Sequence, residues 1–103
     1  MILTDEDLKL IKLAAKAAGI EIRLEPITRR FLYQKELPSE GFYLAYWNPL
    51  TDDGDALRLA VKLDLFWENM ELFDMHFSHK SKDKYAEMRR AIVRAAAAIG
   101  EGM

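Results

Sequence analysis

The chain contains no cysteine. Disulfide staples, thiolate zinc sites and a cysteine nucleophile are therefore excluded, and nothing in the composition argues for an oxidising compartment. Glycine and proline are scarce, at five and three of 103 residues, and the glycines stand singly. Walker loops, dinucleotide fingerprints and nucleophile elbows group glycines around a phosphate or a strained turn, so those motifs are absent. No apolar run approaches the roughly 20 residues that a membrane span needs. The opening MILTDEDLKL is acidic where a secretory leader would be basic, so no targeting segment is expected and the cytoplasm is the default compartment. A large excess of one charge is also missing. The formal net charge is -2, whereas non-specific nucleic-acid binders usually carry a strong positive balance.

What is present fits one soluble globular domain: 103 residues, 50% hydrophobic and 31% charged. Thr4 is placed to cap a first helix whose opening turn carries Asp5, Glu6 and Asp7, negative charge at the positive end of the helix dipole. Leu8, Ile11, Ala15 and Ala18 recur at helical spacing, and Gly19 is suited to the left-handed conformation that closes a helix. IEIRLE, residues 20–25, alternates strictly and predicts a half-buried strand ended by Pro26. Further strands are expected at 29–34 and 41–47, joined by a segment whose Pro38 and Gly41 imply more than a tight hairpin.

Asn48-Pro49 ends the third strand, since proline removes a ladder donor and restricts the residue before it. Asp52 or Asp53 then caps a helix over 54–63 whose only polar positions are Asp55, Arg58 and Lys62. So narrow a polar stripe predicts the most enclosed helix of the chain. LDLFWENMELFDMHF, residues 63–77, is compatible with continuous helix by composition, but aromatic enrichment and imperfect alternation favour a strand region bent near Glu68-Asn69. A last helix is expected from Asp83 to Ile99, with Tyr85, Met88, Ile92, Ala95 and Ile99 buried and Gly100 as its stop. The order α-β-β-β-α-β-α predicts an α+β fold, a three-layer helix–sheet–helix sandwich around a mainly antiparallel sheet.

The aspartates of TDDGD, 51–55, invite a metal reading. Counted from Asp52, however, glycine falls third and the twelfth position is Leu63, which does not match a calcium-binding helix–loop–helix. Caps and turns use these residues routinely, and helix punctuation is the expected role. His76 and His79 are the only histidines, and they fall near a loop without a partner motif for zinc. No metal or cofactor is expected, and no catalytic residues are assigned; an enzyme would have to gather Asp52, Asp55, Glu68 and Glu71 across space.

Charge is unevenly spread. Lys80, Lys82, Lys84, Arg89, Arg90 and Arg94 face only Asp83 and Glu87 between residues 79 and 94, a local excess of four, which leaves -6 for the rest. These six cations are the candidate binding residues, able to steer a charged partner or simply to keep a helix face wet. Among the aromatics, alternation sets Phe42, Leu44 and Tyr46 on one face of the third strand and Tyr43, Ala45 and Trp47 on the other. Covered on both sides they are all core; left bare on one side they form a binding platform.

The segment Trp47-Asn48-Pro49-Leu50-Thr51-Asp52-Asp53-Gly54-Asp55-Ala56-Leu57-Arg58-Leu59-Ala60, with Arg89-Arg90-Ala91-Ile92-Val93-Arg94-Ala95-Ala96, resembles small phage and prophage proteins with a phage ABA-sandwich domain. The resemblance covers the second half of the chain. It implies a three-layer helix–sheet–helix arrangement and a bacterial host cell, and brings no activity or functional residues. Two functions are expected ahead of an enzymatic one. The first is a phage-encoded binding protein acting on a host or phage protein, for instance against a host defence system. The second is a nucleic-acid-associated accessory factor using the basic C-terminal helix. A homodimer through an exposed strand edge is compatible with both.

Overall fold

The computed structural model describes residues 3–37 and 41–103, so Pro38 lies outside the described residues. Helix α1 spans Asp5–Ala18 and opens with a capping box. The Thr4 hydroxyl accepts from the Asp7 amide at 3.1 Å, and the Thr4 amide donates to Asp7 Oδ2 at 3.3 Å. Gly19 closes it at φ 69°, the left-handed region that costs glycine little.

Three strands follow: β1 (Arg23–Glu25), β2 (Arg30–Leu37) and β3 (Gly41–Tyr46), in the order β1-β2-β3 and antiparallel throughout. β1 is shorter than the alternation predicts. Ile20 and Ile22 are half-buried against the core, but they do so ahead of the hydrogen-bonded ladder. Helices α2 (Asp53–Lys62), α3 (Met70–His76) and α4 (Lys84–Glu101) complete the chain.

Four expectations are corrected. The segment after α2 forms turns over 63–69 and then α3, where a strand was predicted. Phe66, Phe73 and Phe77, seven and four residues apart, meet on one side, with centroid separations of 5.6 Å for Phe66–Phe73 and Phe73–Phe77. The Phe73–Phe77 step is helical spacing, with Phe66 meeting Phe73 from the preceding turn, and this packing outweighs the β preference of the individual aromatics. Second, α4 runs through Gly100 to Glu101 and is capped by Gly102. Third, Tyr85 and Met88 are exposed, while Ala91, Ile92, Val93, Ala95, Ala96 and Ala97 are buried. The packing face is mainly alanine with Ile92 and Val93, and it lacks the two large residues nearest the start of the helix. Fourth, α4 and not α2 is the enclosed helix: it packs on α1, α2 and α3, whereas Leu57 and Val61 of α2 face solvent.

The layers follow from these contacts. Helices group around α4, and the inner face of the sheet joins them through Phe31 and Trp47, both buried, with Leu24 and Tyr33 packed alongside. Burying those two aromatics contributes on the order of 2–3 kcal/mol each to holding the sheet on the helices. The result is an α+β fold of four helices and a three-stranded antiparallel sheet. A second helix layer, over the other sheet face, is not seen among the described residues. No described helix is long and apolar enough to cross a membrane.

Candidate binding surface

The register sets the outer face. Leu32 pairs with Tyr46, Gln34 with Leu44 and Arg23 with Leu32, and directly paired residues project from the same side of a sheet. Phe42, Leu44 and Tyr46 therefore stand on the side opposite buried Phe31 and Trp47. They are 58%, 56% and 50% exposed. Three adjacent large apolar side chains on one strand form the kind of patch that marks recognition on a soluble protein. Of the two alternatives that alternation leaves open for these aromatics, the structure leaves the Phe42, Leu44 and Tyr46 face bare; on the other face Trp47 is buried and Tyr43, towards the start of β3, is exposed.

Charged residues border the patch. Arg23, Glu25 and Arg30 share the outer face by register. The Arg30 guanidinium lies 5.0 Å from the Tyr46 ring centroid, a cation–π contact that keeps its charge beside the apolar strip. The Glu25 carboxylate is used locally: it accepts from the amides of Ile27 and Thr28 at 3.0 and 2.6 Å and from the Thr28 hydroxyl. Those bonds, the Thr28 hydroxyl foremost and then the two amides, lower the Glu25 pKa. At its β1 end the rim thus presents two arginines against one carboxylate already engaged in a turn. An open groove of about 680 Å³ adjoins it, lined in part by Ile20, Ile22, Leu32, Leu44 and Lys62.

The aspartates of TDDGD serve structure. Asp52 caps α2, its Oδ1 accepting from the Asp55 amide at 2.8 Å. Asp53 pairs with Arg89 at 2.6 Å. Asp55, buried, accepts from the Asn48 amide at 3.0 Å and from Arg58 Nη2 at 2.7 Å. The Asp55 hydrogen bond is also the main cause that raises the Arg58 pKa. Asp52 and Asp55 do border a cleft of about 310 Å³ with Arg30, Tyr46 and Asn48, but Glu68 and Glu71 lie on the turn after α2 and the start of α3, and neither borders that cleft.

The six candidate cations separate into two groups. Lys80, Lys82 and Lys84 are exposed around the start of α4. Arg89, only 17% exposed, donates to the Leu50 carbonyl at 2.9 Å and to Asp53. Arg90 lies 3.6 Å from buried Asp7. Arg94 borders a groove with Glu6, His76 and Glu101. Two of the three arginines are thus ion-paired at home, tying α4 to the starts of α2 and α1. His79 meets Phe77 edge to face, with 4.7 Å between ring centroids, while His76 lines the groove beside Arg94. The arginine pairings depend on acids 36 and 83 residues away in sequence, which no local pattern signals.

Fold and surface together define a small α+β protein whose sheet is covered on one side only. No family model, curated protein or solved structure matches this chain.

Proposed function

We propose that this chain is a small binding protein acting by protein–protein interaction, its outer sheet face docking an amphipathic helix flanked by acidic residues. The bare strip of Phe42, Leu44 and Tyr46 carries the reading. A helix is the element that covers sheet faces in mixed folds, and its acidic flank would complement Arg23 and Arg30. On this reading the three-layer sandwich is completed by the partner. The resemblance of residues 47–60 and 89–96 to phage ABA-sandwich proteins supports a phage or prophage origin and action in a bacterial host cell; a host defence component is the target proposed for such a protein, although the resemblance itself brings no activity. A catalytic role is not proposed, because the carboxylates nearest a cleft, Asp52 and Asp55, are engaged in capping and ion pairing.

Capture from bacterial lysate tests this with three forms of the tagged protein. One is unaltered, one carries Arg23→Glu with Arg30→Glu, and one carries Lys80→Glu, Lys82→Glu and Lys84→Glu. The reading expects one protein retained by the first and third forms and lost from the second. Loss in the lysine variant alone, with co-eluting nucleic acid that dissociates steeply as salt rises, would instead favour the accessory-factor alternative, for which the exposed Lys80, Lys82 and Lys84 speak.

A further inference from the structure

The backbone of β3 carries more information than its side chains. In an antiparallel pair, residues alternate between exchanging hydrogen bonds with the partner strand and directing N–H and C=O away from it. The Trp47 amide donates to the Phe31 carbonyl at 2.9 Å, which continues the Leu32–Tyr46 register by one residue. Odd-numbered positions of β3 therefore bond to β2. The even ones, Phe42, Leu44 and Tyr46, turn their backbone groups towards the free edge. Among the described residues no strand pairs with that edge.

Exposed edges invite strand addition, and proteins normally guard them with charge, proline or short length. The opposite edge of this sheet has all three guards: β1 is three residues long, two of them are Arg23 and Glu25, and Pro26 follows. β3 has none. Residues 41–47 read GFYLAYW, without charge or proline. The three outward-bonding positions, aromatic, leucine, aromatic, are also symmetric about Leu44. Run antiparallel against itself, the strip is its own complement.

We infer that β3 pairs with β3 of a second copy about a two-fold axis at Leu44, joining two three-stranded sheets into one continuous sheet. Leu44 exchanges hydrogen bonds with its symmetry mate, and Phe42 lies opposite Tyr46 in both directions. Such an interface is isologous and closes as a dimer. Aromatic cross-strand pairs add to the backbone bonds, and the absence of charge in both strands removes repulsion along the seam. The outer faces of the two sheets then merge, and the two apolar strips lie side by side as one patch twice as wide. This inference rests on the edge backbone and not on the partner reading above, and either can fail alone.

Sedimentation of the isolated protein tests it. Twice the chain mass of 11.9 kDa is expected at micromolar concentration. Leu44→Pro deletes an amide that faces the edge and leaves the β2 ladder bonded, so this variant should be monomeric. Leu44→Lys, which sets like charges directly opposite each other, should shift the equilibrium towards monomer with an unchanged circular dichroism spectrum. Because the chain has no cysteine, the register is also readable. Leu44→Cys should be joined to its mate by the shortest bis-methanethiosulfonate cross-linker. Phe42→Cys should not, since its mate lies four residues along, about 13 Å away. A monomer at every concentration, a dimer untouched by Leu44→Lys and Leu44→Pro, or equal cross-linking at positions 42 and 44 would overturn the inference.

Discussion

Replacing Asp55 by alanine strands two donors at once. The Asn48 amide and the Arg58 guanidinium both end on this buried carboxylate. Arg58 is largely exposed and can turn to water, so the lasting cost is the half-buried amide. An unsatisfied buried donor costs about 1–3 kcal/mol. Asp55→Ala should therefore lower the urea midpoint by an amount in that range, and Asp55→Asn, which keeps an acceptor, should recover part of it. Glu25 makes a pH prediction at the same scale. Its hydrogen bonds to Thr28 and Ile27 hold its pKa down in the fold. A carboxyl group with a lowered folded pKa stabilises above the unfolded value of about 4.3, and that contribution fades as pH falls through the folded one. Carbon-detected NMR titration should place the Glu25 midpoint below an ordinary glutamate, and Thr28→Val should raise it. A Glu25 midpoint indifferent to Thr28→Val would mean that the Thr28 hydroxyl does not help to hold this carboxylate.

Between elements, Gly100 shows how a distant contact overrides a local rule. A glycine late in an amphipathic pattern looks like a helix stop, yet α4 continues through it. A Cβ at Gly100 would lie 2.0 Å from the Leu13 carbonyl oxygen of α1. The neighbour is backbone and cannot swing aside, so α1 and α4 approach each other as only glycine permits. In an unconstrained helix Gly→Ala would gain about 1 kcal/mol; here overpacking at about 1–3 kcal/mol or more opposes it, and the clash decides the sign. Gly100→Ala should lower the melting temperature by several degrees, and a rise would show that the two helices can separate at little cost. The same contrast explains what could be read in advance. Caps are local chemistry: Thr4 is found where expected, Asp52 is the one of the two aspartates that caps α2, and Asp83, expected as the first residue of the last helix, is its cap. Strand alternation is local too, and it correctly separates Phe42, Leu44 and Tyr46 from Trp47. Which of those faces stays bare depends on where α4 gathers the other helices, and no single strand encodes that. The burial of Arg89 beneath Asp53 and of the alanine face of α4 are likewise tertiary facts.

For the whole molecule, a sheet covered on one face has half the anchorage of a sheet inside a sandwich. The helices hold one another through α4, whereas the strands are fastened to them chiefly by Phe31 and Trp47. Phe31 is central to that joint, paired with Leu24 on one side and in line with Trp47 on the other. Truncating a buried phenylalanine to alanine costs about 3–5 kcal/mol, a large fraction of the roughly 5–15 kcal/mol that holds a domain together. The loss should not be spread evenly. Sub-global opening follows the least-anchored cooperative unit, so β1–β3 should come away while α1 and α4 remain paired. Native-state hydrogen exchange on Phe31→Ala should show strand amides exchanging through a low-energy opening and amides of α4 only on global unfolding. If strand and α4 amides lost protection together, sheet and helices would form one cooperative unit, and the bare face would be backed by a stiffer scaffold than its packing implies.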